Sequence, residues 1–524
     1  MRQYSFMTRL KFFTFVFGIT VAFASCANDD LAQNETTSTE DKGLTAFSTG
    51  APTTRTSMKE DGTFYWEAGD YIFVKDDNNM WRKSRNTPKG KTASFKFMVP
   101  GTYTAHNSYD VYYPGKNGTN DQVTISAAQT QTEPNTTAHF GASGDCGMAS
   151  ASRIGTNNQF NFTLDHKAAY LRFLPRTENT ILHDCYLTKV EVTADDNIAA
   201  VYTLDMGTGK LIGTGTGNTI ILTTKAKSGT YANGFPLTNT GTSATDNGSY
   251  MVIKPGTHSL RVRYWIKDYV SNVEGTITKI LVSKTFDQNK FYDITAKLDV
   301  KDYDGDHYYM WDAQEQYWKG HEWWSASKDQ PVLTAHPNMN YPQNSSDPRF
   351  YNQAFIHNVH VPATHSCKDS PNANELSWYC MYGDPHWDDE LWTTMGHLHK
   401  GGLWLKKKSV LQAESHYDTE KSADGTTDLR TTEKHYKNVI STQPTGLPSV
   451  ANANKYFFLP ASGEYDRWSL TSINIAGCWW SSTGHPGASY YGYGIIFDRN
   501  SVDVDGYFRN FGLRVQPFSD FGDN

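Results

Sequence analysis

Positive charge is in short supply in this chain. Lysine and arginine total 48 against 55 aspartates and glutamates, a formal net charge of −7, and they never gather into the basic stripe that nucleic-acid binding needs. The densest run, Lys406-Lys407-Lys408, reads as a solvated edge, and no nucleic-acid partner is expected. Long apolar runs are also missing. Past the N-terminal leader, no segment approaches the roughly 20 apolar residues of a membrane-spanning helix. Cysteine is scarce, at six, and after Cys26 is set aside as part of the leader the odd remainder leaves at least one thiol free in a monomer. Long helix-forming stretches are few, whereas Gly, Asn, Thr, Tyr and Trp are plentiful, which favours a mainly β fold. Catalytic signatures are wanting too. No nucleophile elbow, phosphate-binding loop or dinucleotide fingerprint stands in its proper strand–helix setting, and His321-Glu322 lacks the second histidine of a zinc-protease helix. The chain is not expected to be an enzyme.

What is present begins with the leader. Arg2, Arg9 and Lys11 precede an apolar stretch from Phe12 to Phe23, then Ala24, Ser25 and Cys26. Basic residues, a short apolar segment and small residues before a cysteine form a secretory signal with a lipobox, so residues 1–25 are expected to be removed and Cys26 lipidated. An ordinary cleaved signal or an uncleaved anchor helix are the alternatives. Residues 26–45 are polar and poor in aromatics, as a tether to the outer membrane would be. The acidic pair Asp29-Asp30 resembles the surface-export signal of Bacteroidetes lipoproteins.

From residue 46 onward, short alternating runs holding Thr63, Tyr65, Ile72, Val74, Phe95, Phe97, Val111 and Tyr113 are broken by Asp61-Gly62, Gly69-Asp70, Lys89-Gly90 and Pro114-Gly115. This is the pattern of half-buried strands and tight turns. A similar block follows, and the two are expected to be tandem β-sandwiches over 46–178 and 179–300. Thr54-Arg55-Thr56-Ser57, followed by Trp66-Glu67-Ala68-Gly69-Asp70, resembles the opening of the fimbrillin-like (Mfa-like) surface lipoproteins of Bacteroidales. The resemblance implies transthyretin-like sandwiches, proteolytic processing at Arg55, and association with other fimbrial subunits by strand addition, in which a partner strand fills a vacated groove. Read by itself, Arg55 is equally a solvated strand residue.

The composition changes at residue 301, after which Trp and His become dense. Asp302, Asp304 and Asp306 alternate as in a calcium loop, but His307 stands where the loop needs Gly and Ala313 where it needs Glu. No cofactor is therefore assigned, and calcium is only a possibility. His357, His360, His365 and Cys367 have loosely zinc-like spacing, but alternation in an extended segment puts His357 and His360 on opposite faces. Cys367 and Cys380, joined by a turn-rich segment, could form a disulfide in an oxidising compartment. The Leu459-Pro460-Ala461-Ser462-Gly463 and Trp479-Trp480-Ser481-Ser482-Thr483 segments resemble a Fibrobacter major paralogous (FISUMP-type) module, related to C-type lectin-like domains. That resemblance implies an α+β lectin-like domain over 301–524.

The expected protein is thus a mainly β surface adhesin, a type V pilus-like tip subunit that binds a glycan or protein ligand through its C-terminal domain. Candidate ligand contacts are Trp480, His485, Tyr490, Tyr491, Tyr493, Asp498, Asn500, Asp503 and Asp505. A non-polymerising surface lipoprotein that captures ligands, or a carbohydrate-active enzyme, would be the alternatives.

Overall fold

A computed structural model describes residues 43–49, 57–58, 64–215, 217–333, 339–440 and 447–523. Cys26 and Arg55 lie outside the described residues. The chain divides into a unit Met1–Leu44 and a second compact unit Thr45–Asn524. The chain is mainly β, as its composition predicts.

An eight-stranded sheet runs in the order Trp81–Lys83, Phe73–Lys75, Ser108–Tyr113, Gly147–Arg153, Gln159–Phe162, Leu44–Thr49, Lys96–Pro100, with Asp165–His166 added beside Gly147–Arg153. Alternation does the folding here: Val74, Phe97, Val111 and Tyr113 are fully buried, one face of each strand going to the core. The Trp66–Asp70 segment has a clear structural purpose. Trp66 is fully buried and packs edge-on against Phe97 and Tyr113, at centroid distances of 4.9 and 5.4 Å. Gly69 turns the chain at φ +83°, a left-handed conformation that Gly adopts without strain. Asp70, buried, accepts from the Glu67 amide at 2.7 Å and from the Tyr113 hydroxyl at 3.1 Å.

The Leu44–Thr49 strand is inserted between two strands distant in sequence. It pairs parallel with Gln159–Phe162, Ala46 opposite Gln159 and Thr49 opposite Phe162, and the Thr49 amide donates to the Phe95 carbonyl at 3.1 Å. Phe47 is fully buried, stacked on Phe160 at 4.9 Å.

The sheets do not stop at residues 178 and 300. Gln122–Thr124 pairs with Val201–Asp205, Ala128–Thr130 with Thr219–Thr223, and Ala169–Arg176 lies between Ser249–Ile253 and Phe291–Lys297. A ten-stranded sheet then runs from Ala128–Thr130 through Thr219–Thr223, Tyr186–Ala194, Gly256–Lys267 and Glu274–Phe286 into His386–Thr394, His397–Lys406 and Tyr456–Pro460. The crossing point is Thr276 opposite Glu390. Around it, Arg263 donates to Asp388 at 2.6 Å and to Glu191 at 3.3 Å, and Glu390 accepts from the Thr276 and Thr278 hydroxyls and the Thr278 amide.

The C-terminal region adds a six-stranded sheet, Tyr308–Tyr309, Leu513–Arg514, Gly477–Gly484, Tyr491–Phe497, Ser501–Phe508 and Tyr436–Val439. The helix Ala373–Tyr382 packs against it. Its start is set by a capping box, Asn372 accepting from the Glu375 amide while Glu375 accepts from the Asn372 amide, which satisfies two otherwise orphaned donors. Leu376, Tyr379 and Cys380 on the helix meet Ile495, Phe497 and Val502 in one core.

The Cys367–Cys380 bridge is corrected by this arrangement. Cys380 belongs to the helix core, its thiol donating to the Val502 carbonyl at 3.3 Å. Cys367 lies in a different cluster with Trp311 and Trp480, its sulfur accepting from the Asp312 amide at 3.1 Å. Both are buried free thiols, one in each of two separate hydrophobic clusters.

Candidate functional site

The expected ligand contacts scatter when the chain folds. Trp480 is only 2% exposed and donates its ring N–H to the Tyr309 carbonyl at 2.8 Å, so it is core. Tyr493 is fully buried, its hydroxyl meeting the Lys434 amide and carbonyl. His485, also buried, packs against the Tyr493 ring at 5.0 Å. These three are corrected from ligand contacts to packing residues, because large amphipathic rings on alternate strand positions fill the core first and satisfy their polar atoms on backbone.

The acidic residues divide along the hairpin formed by Tyr491–Phe497 and Ser501–Phe508. Asp498 accepts from the Asn500 and Ser501 amides, at 2.7 and 2.9 Å, and so shapes the turn. Asp503 pairs with Lys437 at 3.0 Å, and Asp505 accepts from the Gly506 amide. The turn holding Asp498 and Asn500 is one strand length, roughly 20 Å, from Tyr490 and Tyr491 at the other end of the hairpin.

At that other end lies a cleft of about 360 Å³, lined by Met310, Tyr317, Tyr341, Pro342, Gln343, Phe350, Tyr351, Arg467, Tyr490, Phe508 and Asn510. Its volume is at the small end of the ~300–1,000 Å³ range typical of small-molecule sites. Met310 and Tyr317 are buried, while Tyr490 and Phe508 are 52% and 46% exposed. Tyr490 and Phe508 stack at 6.1 Å with their planes 26° apart, and Tyr491 closes on both, at 4.5 and 4.9 Å. On the facing loop, Phe350 and Tyr351 lie 4.3 Å apart, and Tyr341 rests on Trp468 at 5.9 Å. Of the residues expected from sequence, Tyr490 lines this cleft and Tyr491 supports it.

Two arginine-centred networks support the walls. Arg349 grips Asp347 through two nitrogens and donates to the Asn340 carbonyl at 2.8 Å, pinning the 340–350 loop. Arg509, 1% exposed, lies over the Trp311 ring at 4.1 Å and donates to the carbonyls of Tyr491, Asn352 and Ala354 at 2.8, 2.7 and 3.0 Å. Burial lowers its pKa to about 10, so it remains charged at neutral pH. Fully buried Asp312 accepts from the amides of Thr364 and His365 and from the Asn352 side chain. Together they hold the outer loops against the hairpin. Burial also raises the pKa of the Tyr317 hydroxyl in the cleft floor, which keeps it a neutral donor, here to the Arg467 carbonyl at 3.1 Å.

Among the described residues, Asp304, Asp306 and His307 form a trio whose ligand atoms lie within 4.8 Å of one another. His307 already pairs with Asp306 at 2.9 Å, and exposed acidic loops of this kind are common without an ion. His357, His360, His365 and Cys367 do not form such a group.

No family model matches the chain, and no curated protein matches it. Among solved structures it is similar to a candidate cell-adhesion protein from Bacteroides ovatus, at 14% identity and a TM-score of 0.29, over 48% of this chain and 93% of that one. A fimbrial protein from Bacteroides ovatus is similar over 90% of this chain and 98% of its own, at 11% identity and a TM-score of 0.24. The fimbrial anchor protein Mfa2 from Porphyromonas gingivalis is similar over 46% and 83%, at 10% identity and a TM-score of 0.22.

Proposed function

We propose that the chain is a cell-surface adhesin of fimbrial type that binds a glycan through its C-terminal, lectin-like region. The observation that carries the reading is the cleft: a concave, aromatic-walled site supported by buried Arg509 and by the Arg349–Asp347 pair, whose lining includes no carboxylate, histidine or cysteine. Glycoside hydrolysis needs two opposed carboxylates, so this lining suits retention of a sugar rather than its cleavage. The broad faces of Tyr490 and Phe508 match the C–H face of a pyranose, with polar groups at the edges to fix its orientation. The lipobox at Cys26 supports export and an outer-membrane anchor.

The test is binding by the purified full chain on a glycan array. Replacing both Tyr490 and Phe508 by alanine is expected to weaken binding about tenfold or more, since two ring contacts are removed. Both side chains are half-exposed, so the melting temperature is expected to fall by only a few degrees and the fold to persist. Unaltered binding by that double variant would sink the assignment of the site.

Assembly into a fimbrium draws support from the Leu44–Thr49 strand. Its removal by cleavage at Arg55 would vacate a slot between Gln159–Phe162 and Lys96–Pro100, with a pocket where Phe47 sat, suited to a partner strand. At the other end, Leu513–Arg514 is already enclosed between Tyr308–Tyr309 and Gly477–Gly484. The Asp523 carboxylate accepts from the Tyr379 hydroxyl and the Lys408 amide. That segment is committed to its own fold, and a tip position is part of the reading proposed here. The mature N-terminus, read by mass spectrometry from surface fractions, is expected near Thr56 in assembled material. Lipidated Cys26 in every functional form would favour the non-polymerising lipoprotein instead.

A further inference from the structure

We infer that the cleft takes an acidic glycan, a sugar bearing a carboxylate, and that Arg467 reads the charge; this rests on the adhesin reading given above. Arg467 is the only charged residue in the lining, and among the described residues its guanidinium makes no ion pair and no hydrogen bond. The arginines supporting the walls behave differently. Arg349 is committed to Asp347, and Arg509 to three backbone carbonyls.

The position of Arg467 is also unusual for its residue type. It occupies the first place of the two-residue turn between Glu464–Asp466 and Ser469–Thr471, with φ +52°. Gly or Asn is the ordinary choice there, because a Cβ is disfavoured in the left-handed region. A long cationic side chain breaks the local rule without a partner inside the fold, as is expected where a residue is kept for its side chain.

A planar guanidinium offers two parallel N–H groups to a carboxylate. Beside it, Gln343 and Asn510 supply amides for hydroxyl groups. The lining itself holds no acidic residue, although exposed Asp466 adjoins Arg467 in the chain. Aromatic rather than aliphatic walls favour a sugar ring, whose C–H face stacks on them, over an acyl chain.

The experiment is isothermal titration of the full chain with uronate- and sialate-terminated oligosaccharides, each paired with a neutral counterpart of the same length. At least one acidic member is expected to bind about tenfold or more tightly than its neutral partner. That preference should shrink as salt is raised. It should disappear in Arg467→Ala and survive in part in Arg467→Lys. Arg467 is exposed, so both variants are expected to melt with the parent. Equal affinity for acidic and neutral members, lost in Tyr490→Ala, would overturn the acidic class while leaving the adhesin standing. If no member binds, both readings fall.

Discussion

Arg509→Ala is expected to lower stability by about 2–4 kcal/mol and to abolish binding in the cleft. The substitution strips the carbonyls of Asn352 and Ala354 of their Arg509 donor and leaves the Tyr491 carbonyl only the His485 amide. A buried acceptor without a partner costs about 1–3 kcal/mol, less where water can reach it. The Arg509 stem and guanidinium also cover Trp311, which is fully buried, and their loss exposes that ring or leaves a void. Urea unfolding followed by tryptophan fluorescence gives the free-energy difference directly. Arg509→Lys is the informative companion, since it keeps the charge but cannot reach three carbonyls at once. Its stability should fall between parent and alanine variant. An Arg509→Ala protein as stable as the parent would mean that the 352–354 loop is held by other contacts.

The second large effect belongs to the place where the ten-stranded sheet passes into the C-terminal region. Arg263→Met is expected to cost about 3–5 kcal/mol near neutral pH, because it leaves Asp388, 2% exposed, and Glu191 without their cation. The cost should depend on pH, and its sign follows from the carboxyl groups. Burial foremost, then the Asp388 charge, raises the pKa of Glu390 to about 7. Burial likewise raises that of Asp388 against the pull of Arg263. A carboxyl whose folded-state pKa lies above its ordinary value stabilises the fold in its protonated form. The contribution of Glu390 is therefore fully present below its ordinary pKa of 4.5 and is lost as pH rises through about 7. Melting temperature should accordingly fall between about pH 5 and pH 8, and Glu390→Gln, which cannot ionise, should flatten that slope. The penalty of Arg263→Met should shrink toward acid, where its former partner is neutralised. A flat profile in the parent would show that Glu390 is ionised throughout.

The Gly69–Asp70 turn and the cleft differ in how legible they were. Gly69 and Asp70 could be read as a turn because their roles are local: a left-handed glycine and a carboxylate capping an amide three residues back. The capping box of Asn372 and Glu375 is local in the same way. The cleft is not, since its lining comes from segments near 310, 341–351, 467, 490 and 508. Trp480 and Tyr493 looked like ligand contacts because sequence shows an aromatic residue without showing which face of the strand it occupies relative to the packed helix. Arg467 left a faint signal that could have been used: an arginine in a two-residue turn where glycine is the easy choice.

The amino-acid sequence by itself determined the mainly β class and the short-range turns and caps, and it carried the expectation of a leader with a lipobox. All of these depend on composition or on residues a few positions apart. Only the tertiary structure decided which strands pair across the sequence blocks, that Cys367 and Cys380 go to separate cores, and that loop, turn and hairpin meet in one aromatic cleft around Arg467. Strand pairing is made by backbone groups common to every residue, so the sequence pattern of a strand records its buried face but leaves its partner unstated.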